Sequence, residues 1–231
     1  MKGQSNKVLL IVFGIVILIM GISLINSNRA RTYSNTSVTV VSEAADGLDL
    51  EALLELVKEA RSAEDLEKAL NEQLNFELYS AYIYYSMAAY FESVDLPGFA
   101  NWMQIQYQEE LFHVQKFFDF INERDGRVTL GGVDAPQHEW ESPLAAFQNA
   151  YEHEKIVSKR IHELVDLSRQ EKDHAVESFL DWFVTEQVEE EASTRAIAQQ
   201  LKFLGEDRTG LFMVDRELAT RVFTPPDGTA A

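Results

Sequence analysis

Four stretches of this chain place apolar residues at spacings that alternate four and three, the period of one helix face. Each is interrupted near its middle by polar or charged side chains. The first runs Leu66, Leu70, Leu74, Glu77, Ala81, Tyr84, Ala88, Phe91, and the second Phe99, Met103, Gln106, Glu110, His113, Phe117, Phe120. The third reads Leu144, Phe147, Tyr151, Glu154, Val157, Ile161, Leu164, and the fourth Val176, Leu180, Phe183, Gln187, Glu190, Thr194, Ile197, Leu201, Leu204. Long apolar stripes bury themselves against one another, which predicts an all-α, four-helix bundle. Carboxylates on those stripes then need a counter-charge, because an unpaired charge in an apolar interior is very costly.

Punctuation sets the helix ends. Ala63 to Ser93 has neither Gly nor Pro; Pro97-Gly98 opens the second helix and Asp125-Gly126 stops it. Arg127 to Ser142, with Gly131-Gly132 and Pro136, is too long for a tight helical hairpin and predicts a crossover along the bundle. Pro143 and Asp173 precede the third and fourth helices, Gly205 ends the fourth, and Thr209 to Val222 has room for one short fifth helix.

The stripes contain a hidden repeat. Glu77 and Glu154, Glu110 and Gln187, and His113 and Glu190 are all separated by 77 residues, so the two helical hairpins read as copies of one unit. Glu77 and His113 each lie 18 residues from position 95, and Glu154 and Glu190 each 18 from position 172, so antiparallel helices bring all four to one height. Glu110 and His113, at i and i+3, project from the same side and can reach one ion. Taken singly, a Glu on an apolar stripe reads as a side chain snorkelling outward and a His as a hydrogen-bonded core residue. Agreement in spacing, height and offset argues for a site. Four buried glutamates could not all ionise without cations, and two divalent ions would balance them. Carboxylates with one imidazole suit iron or manganese better than zinc. A bridging Glu would hold two ferrous ions close enough to reduce dioxygen together. Tyr84, two turns after Glu77 on the same face, could donate an electron or a hydrogen bond, or simply pack; Trp182 reads as core.

Composition agrees with that chemistry. A net charge of -18 repels nucleic-acid phosphates and favours cations, and with no cysteine a metal must be held by carboxylate, imidazole or amide.

Residues 1–26 stand apart. Val8 to Ile25 runs without a charge and as a helix would span about 27 Å, close to a bilayer's hydrocarbon core, so it reads as a membrane anchor. Lys2 and Lys7 ahead of it also fit a signal peptide, although the apolar run is long and no A-x-A-like site follows. Charge flanks orient it weakly, with Arg29 and Arg31 matching the two lysines; the expectation is a bundle outside the cytoplasm, or an exported soluble protein if the segment is cleaved. Residues 27–64 read as a Ser/Thr/Asn-rich linker carrying a short amphipathic helix that ends near Arg61, and residues 65–231 as the helical metal domain.

Four motifs carry a resemblance: Asn71-Glu72-Gln73-Leu74-Asn75-Phe76-Glu77-Leu78-Tyr79-Ser80, Gln108-Glu109-Glu110-Leu111-Phe112-His113, Tyr151-Glu152-His153-Glu154, and Trp182-Phe183-Val184-Thr185-Glu186-Gln187-Val188-Glu189-Glu190. With them the chain resembles the ferritin family over residues 65–222, and within it the non-haem bacterial ferritins. The resemblance implies a ferritin-like four-helix bundle with a short fifth helix, a homo-oligomeric shell of twenty-four copies, and storage of iron oxidised from Fe(II) by O2. It also implies that Glu77, Glu110 and His113 hold one iron, that Glu110 bridges to a second held by Glu154 and Glu190 with Gln187 beside it, and that Glu109, Glu186 and Glu189 serve a third with Glu190. Tyr84 matches the family's site tyrosine. Leu111 replaces the methionine that binds haem in bacterioferritins, so haem is not expected. Glu190 and Gln187 replace the last-helix histidine motif of bacterioferritins and rubrerythrins, which favours iron passing through to mineral over a permanent cofactor. Two other readings stand beside storage: a membrane-bound di-iron oxidase or peroxidase of rubrerythrin type, and a metal-free helical scaffold tethered to a membrane.

Overall fold

The computed structural model describes residues 50–224, with side chains from residue 64 onward. Five helices follow one another there: α1 (Leu50–Ser93), α2 (Pro97–Glu123), α3 (Pro143–Gln170), α4 (His174–Leu204) and α5 (Arg208–Leu218). The apolar run at residues 8–25 and the linker up to residue 49 lie outside the described residues; among the described residues no helix is long and apolar enough to cross a membrane. The short helix expected to end near Arg61 is not separate. It continues into the first bundle helix as one element from Leu50 to Ser93, since neither Gly nor Pro falls between them to stop the ladder.

The expected stripes are the faces that pack. All eight side chains of the first stripe are buried, and on α4 all but Leu204. Strict four-three spacing drifts at the ends: Ile121 is buried where Phe120 was expected, and Ala150 where Tyr151 was. A helix has 3.6 residues per turn, so a 3.5 repeat drifts by about 20° per heptad, enough along a stripe to favour a neighbouring position. Short turns make α1–α2 and α3–α4 antiparallel hairpins: Phe91 stacks on Phe99 with ring centres 5.1 Å apart, while Leu66, Leu70 and Leu74 share a cluster with Phe117 and Ile121. The apolar core divides into two clusters. One gathers Tyr84, Phe91, Phe99, Met103 and Phe147; the other gathers Leu74, Phe117, Ile161, Leu180 and Phe183.

The crossover between α2 and α3 lies along α1, and two asparagines fasten it. Asn71 donates to the Arg127 carbonyl at 3.0 Å and accepts from the Thr129 amide at 2.7 Å. Asn75 repeats the arrangement one turn on, donating to Thr129 O at 2.8 Å and accepting from Gly131 N at 2.6 Å. Asparagine is otherwise a poor helix-interior residue, so its use here is explained by the backbone it satisfies. Further along, Ser86 donates to Gln137 O and Trp140 packs on Tyr90.

Helix ends are held by side chains from elsewhere. Ser142 caps α3 and Asp173 caps α4, and Arg124 at the end of α2 pairs with Asp173 at 2.6 Å. The first turn of α2 is capped from α5: Asp215 Oδ1 accepts from Gly98 N at 2.7 Å and Phe99 N at 3.1 Å. This approach is so close that a Cβ on Gly98 would lie 1.6 Å from the Asp215 carbonyl oxygen. Gly98→Ala must therefore push α5 away, and should lower stability by about 2 kcal/mol or more in chemical denaturation. Gly132→Ala, with nothing within 4 Å of its Cβ position, is the matched control and should change stability little.

Candidate metal centre

Seven polar side chains meet between the two apolar clusters: Glu77 from α1, Gln106, Glu110 and His113 from α2, Glu154 from α3, and Gln187 and Glu190 from α4. None is more than 4% exposed. His113 Nδ1 stands 3.3 Å from Glu110 Oε2 and 3.9 Å from Glu77 Oε2, and these three residues each offer a ligand atom within 4.8 Å of the others. The imidazole is fixed by edge-on packing against Trp182 and Phe183, at 5.5 and 5.6 Å. Trp182 is itself only half-buried, with Lys116 Nζ 4.3 Å above its ring.

A second group that satisfies the same 4.8 Å criterion joins His113 to Glu186 and Glu190. Glu154, the expected partner of Glu190, has its oxygens committed instead: Oε1 accepts from the Tyr84 hydroxyl and Oε2 faces the Gln187 amide. With that amide oriented so that both ends are satisfied, Gln187 donates to Glu154 Oε2 at 3.3 Å and reaches Ser158 Oγ at 3.2 Å. Glu109 is half-buried and paired with Arg221 at 2.5 Å, and Glu189 is exposed and belongs to neither group. Of the nine expected metal residues, the structure thus brings Glu77, Glu110, His113, Glu186 and Glu190 into two groups that share the imidazole.

Electrostatics explain why such a cluster wants a cation. Burial, then the charges of Glu77 and Glu190, hold the Glu110 carboxyl well above the usual carboxylate range. Burial and then Glu110 raise Glu154, and burial, Glu154 and Glu109 raise Glu190. Tyr84 is raised by burial and by Glu154. Among the described residues one buried side-chain oxygen, Glu77 Oε2, accepts no hydrogen bond, and it is the atom that faces His113. A buried acceptor without a donor is costly, and a metal ion is a partner this donor set suits.

Several contributors are not evident from metal-ligand spacing. Gln73 donates to Glu77 Oε1 at 2.8 Å, and Gln106 donates to Glu190 Oε2 at 2.7 Å. Gln106 was visible as a polar residue on an apolar stripe, and Gln73 as the residue one turn before Glu77. His153, beside Glu154, is buried against Phe76, Tyr79 and Tyr84; burial lowers its pKa to about 4, and it shares a hydrogen bond with Ser80 Oγ at 2.8 Å.

The raised carboxylates mean that the folded metal-free protein keeps protons that the unfolded chain gives up. Stability from this source is present at acid pH, below the ordinary carboxylate range, and is lost as pH rises through the raised values. The metal-free protein should therefore melt at a lower temperature at about pH 8 than at about pH 5.5. Glu110→Gln should recover about 1 kcal/mol or more at the higher pH, read by thermal or denaturant unfolding in chelator. A variant no more stable than wild type there would show that the carboxylates do not strain the fold.

Comparison with known proteins agrees with the geometry. The ferritin family model, described as a ferritin-like domain, matches residues 67–204. A bacterial non-heme ferritin from Bacteroides fragilis (strain 638R) is 41% identical over 159 residues, spanning 69% of this chain and 99% of the relative. One from Staphylococcus aureus (strain MRSA252) is 39% identical over 161 residues, spanning 70% of this chain and 97% of the relative. Among solved structures, an open pore ferritin from the hyperthermophilic archaeon Archaeoglobus fulgidus superposes with a TM-score of 0.68 at 56% identity, covering 69% of this chain and 98% of that one. The chain is a member of the ferritin family.

Proposed function

We propose that the protein stores iron and acts as a ferroxidase, taking Fe(II) as substrate at the buried cluster and oxidising it with O2 before the ferric product passes on to mineral. The observation that carries this reading is the unpartnered Glu77 Oε2, buried and facing an imidazole and a second carboxylate. Without a cation that oxygen can be satisfied only by a proton held on the cluster; beside Fe(II) it is a ligand.

The proposal assigns Glu77, Glu110 and His113 to one iron and Glu154, Gln187 and Glu190 to a second, with Glu110 between them. Glu186, with Glu109, Glu189 and Glu190, would serve a third. Two Fe(II) lose one electron each, and O2 takes up both with two protons to leave as hydrogen peroxide, so the two subsites act together. The residues' own tasks follow from their surroundings. His113 is held edge-on by two aromatic rings and so presents one fixed ring face and lone pair. The apolar clusters on either side keep bulk water from the site. Tyr84 holds Glu154 by a hydrogen bond and stands where it can pass on a proton or an electron. Iron need not stay, because the Glu154 side offers an amide in place of a further charged ligand.

We also infer that copies assemble into a shell, twenty-four by the family resemblance, and that residues 8–25 anchor them to a membrane with the bundle outside the cytoplasm. The support is the uncharged eighteen-residue run itself. The relatives named above are matched over nearly their whole length by about 70% of this chain, and the family model begins only at residue 67.

Repeated anaerobic Fe(II) loading followed by air should deposit iron far beyond two per chain, whereas an enzyme that retains its metal would saturate at its site. Glu110→Ala combined with His113→Ala should slow Fe(II) oxidation by about 100-fold or more, followed by ferric absorbance. Carbonate washing of membranes should leave the protein in the pellet and release it once residues 1–26 are deleted. Release of the undeleted protein would rule out the anchor.

A further inference from the structure

Two arginines reach Glu77 and Glu190 of the metal centre indirectly, each through a buried glutamine. On one side Arg160 of α3 donates Nε to Gln73 Oε1 at 2.9 Å, and Gln73 Nε2 donates to Glu77 Oε1 at 2.8 Å. On the other, Arg221, which follows α5, donates Nη1 to Gln106 Oε1 at 3.0 Å, and Gln106 Nε2 donates to Glu190 Oε2 at 2.7 Å. The two glutamines are buried, at 1% and 0% exposure, while both arginines keep part of their surface in water.

The chemistry of the guanidinium makes this arrangement directional. Arginine has donors only, so it can engage just the oxygen end of a primary amide. With the oxygen taken, the amide can turn nothing but its NH2 group towards the carboxylate beyond. A glutamine free to flip could place its oxygen there instead, against a carboxylate oxygen, and the repulsion would push the ligand out of position. Both guanidinium groups are themselves pinned. Arg160 also donates to the Glu72 carbonyl at 3.2 Å and lies over the Phe76 ring at 4.3 Å. Arg221 donates to the Trp102 carbonyl at 3.3 Å, pairs with Glu109, and lies over the Trp102 ring at 4.4 Å. Planar stacking and forked donors together fix a direction in a way that a lysine could not.

We propose that Arg160 and Arg221 are positioning residues that act through Gln73 and Gln106. Each arginine locks its glutamine so that one oxygen of Glu77 or Glu190 is occupied by an amide and the other is aimed at the metal. At Glu77 the consequence is visible: Oε1 is bound by Gln73, and Oε2 is the unpartnered atom that faces His113. The two devices sit on opposite sides of the cluster, one for each of the glutamates on α1 and α4. The assignment rests on the metal-centre reading above and adds which groups set its geometry.

The Arg160 arm gives the cleaner test, because Arg221 also neutralises Glu109. Metal-free full-length protein and its Arg160→Met, Gln73→Met and double variants are titrated with Co(II) alone, following its visible absorption. Gln73→Met should weaken the tightest Co(II) step by about 10–100-fold, Arg160→Met should come close to it, and the double variant should be no weaker than Gln73→Met. The absorption band should also change in Gln73→Met, as Glu77 becomes free to bind through both oxygens. Losses that simply add, or an Arg160→Met protein with wild-type affinity and spectrum, overturn the relay while leaving the metal centre standing. A wild-type protein that takes up no Co(II) overturns both. Should Gln73→Met fail to give a folded protein by circular dichroism, Arg160→Met decides alone: a 10-fold or greater loss supports the relay, and unchanged binding overturns it.

Discussion

Like charges packed into an apolar interior are the constraint around which this bundle is organised. Glu77, Glu110, Glu154 and Glu190 come from four different apolar faces, and none has more than a sliver of solvent. Coulomb repulsion and lost hydration act on them together, so without a cation the site holds protons it would not hold in water. The rest of the interior can be read as arrangements that make this tolerable. Donors are brought to the carboxylates from Tyr84, Gln73, Gln106 and Gln187, and two apolar clusters above and below keep the helices together where the polar layer cannot. Stability is thus supplied at the ends of the bundle and spent in its middle.

This division of labour accounts for what the sequence disclosed. Stripes with a helical period, polar gaps at a shared height and a 77-residue offset are one-dimensional shadows of a layer that crosses four antiparallel rods, so the ligand positions could be read from spacing. The crossover was legible from its length, and its fastening by Asn71 and Asn75 explains two residues that otherwise look misplaced in a helix. What stayed hidden has a common cause. Arg160 and Arg221 sit at half-buried positions where charged residues are ordinary, and only three-dimensional proximity shows that their donors point inward. The grouping of Glu186 with Glu190 and His113, beside a Glu154 held by Tyr84, likewise depends on side-chain rotation, which periodicity does not encode. α1 runs unbroken past Arg61, where no residue interrupts helical hydrogen bonding.

Family membership and local chemistry support each other from different directions. The family model spans residues 67–204, and every carboxylate, imidazole and amide of the metal centre falls within it. Identity to the solved archaeal ferritin is high enough, at 56%, to carry the fold. The need for a metal does not depend on that likeness. It follows from an acceptor with no donor, an imidazole locked between two rings and carboxylates forced together, all of which are properties of this chain.

The docking of Arg221 also bears on the moment at which the site matures. The first group, Glu77, Glu110 and His113, is complete by residue 113, whereas the second waits for Glu186 and Glu190, and the guanidinium that orders Gln106 comes only at residue 221. A chain still emerging from the ribosome therefore carries at most one half of the centre. The joining of both groups at one imidazole is postponed until synthesis has passed the fourth helix, and the ordering of Glu190 until it has passed the fifth.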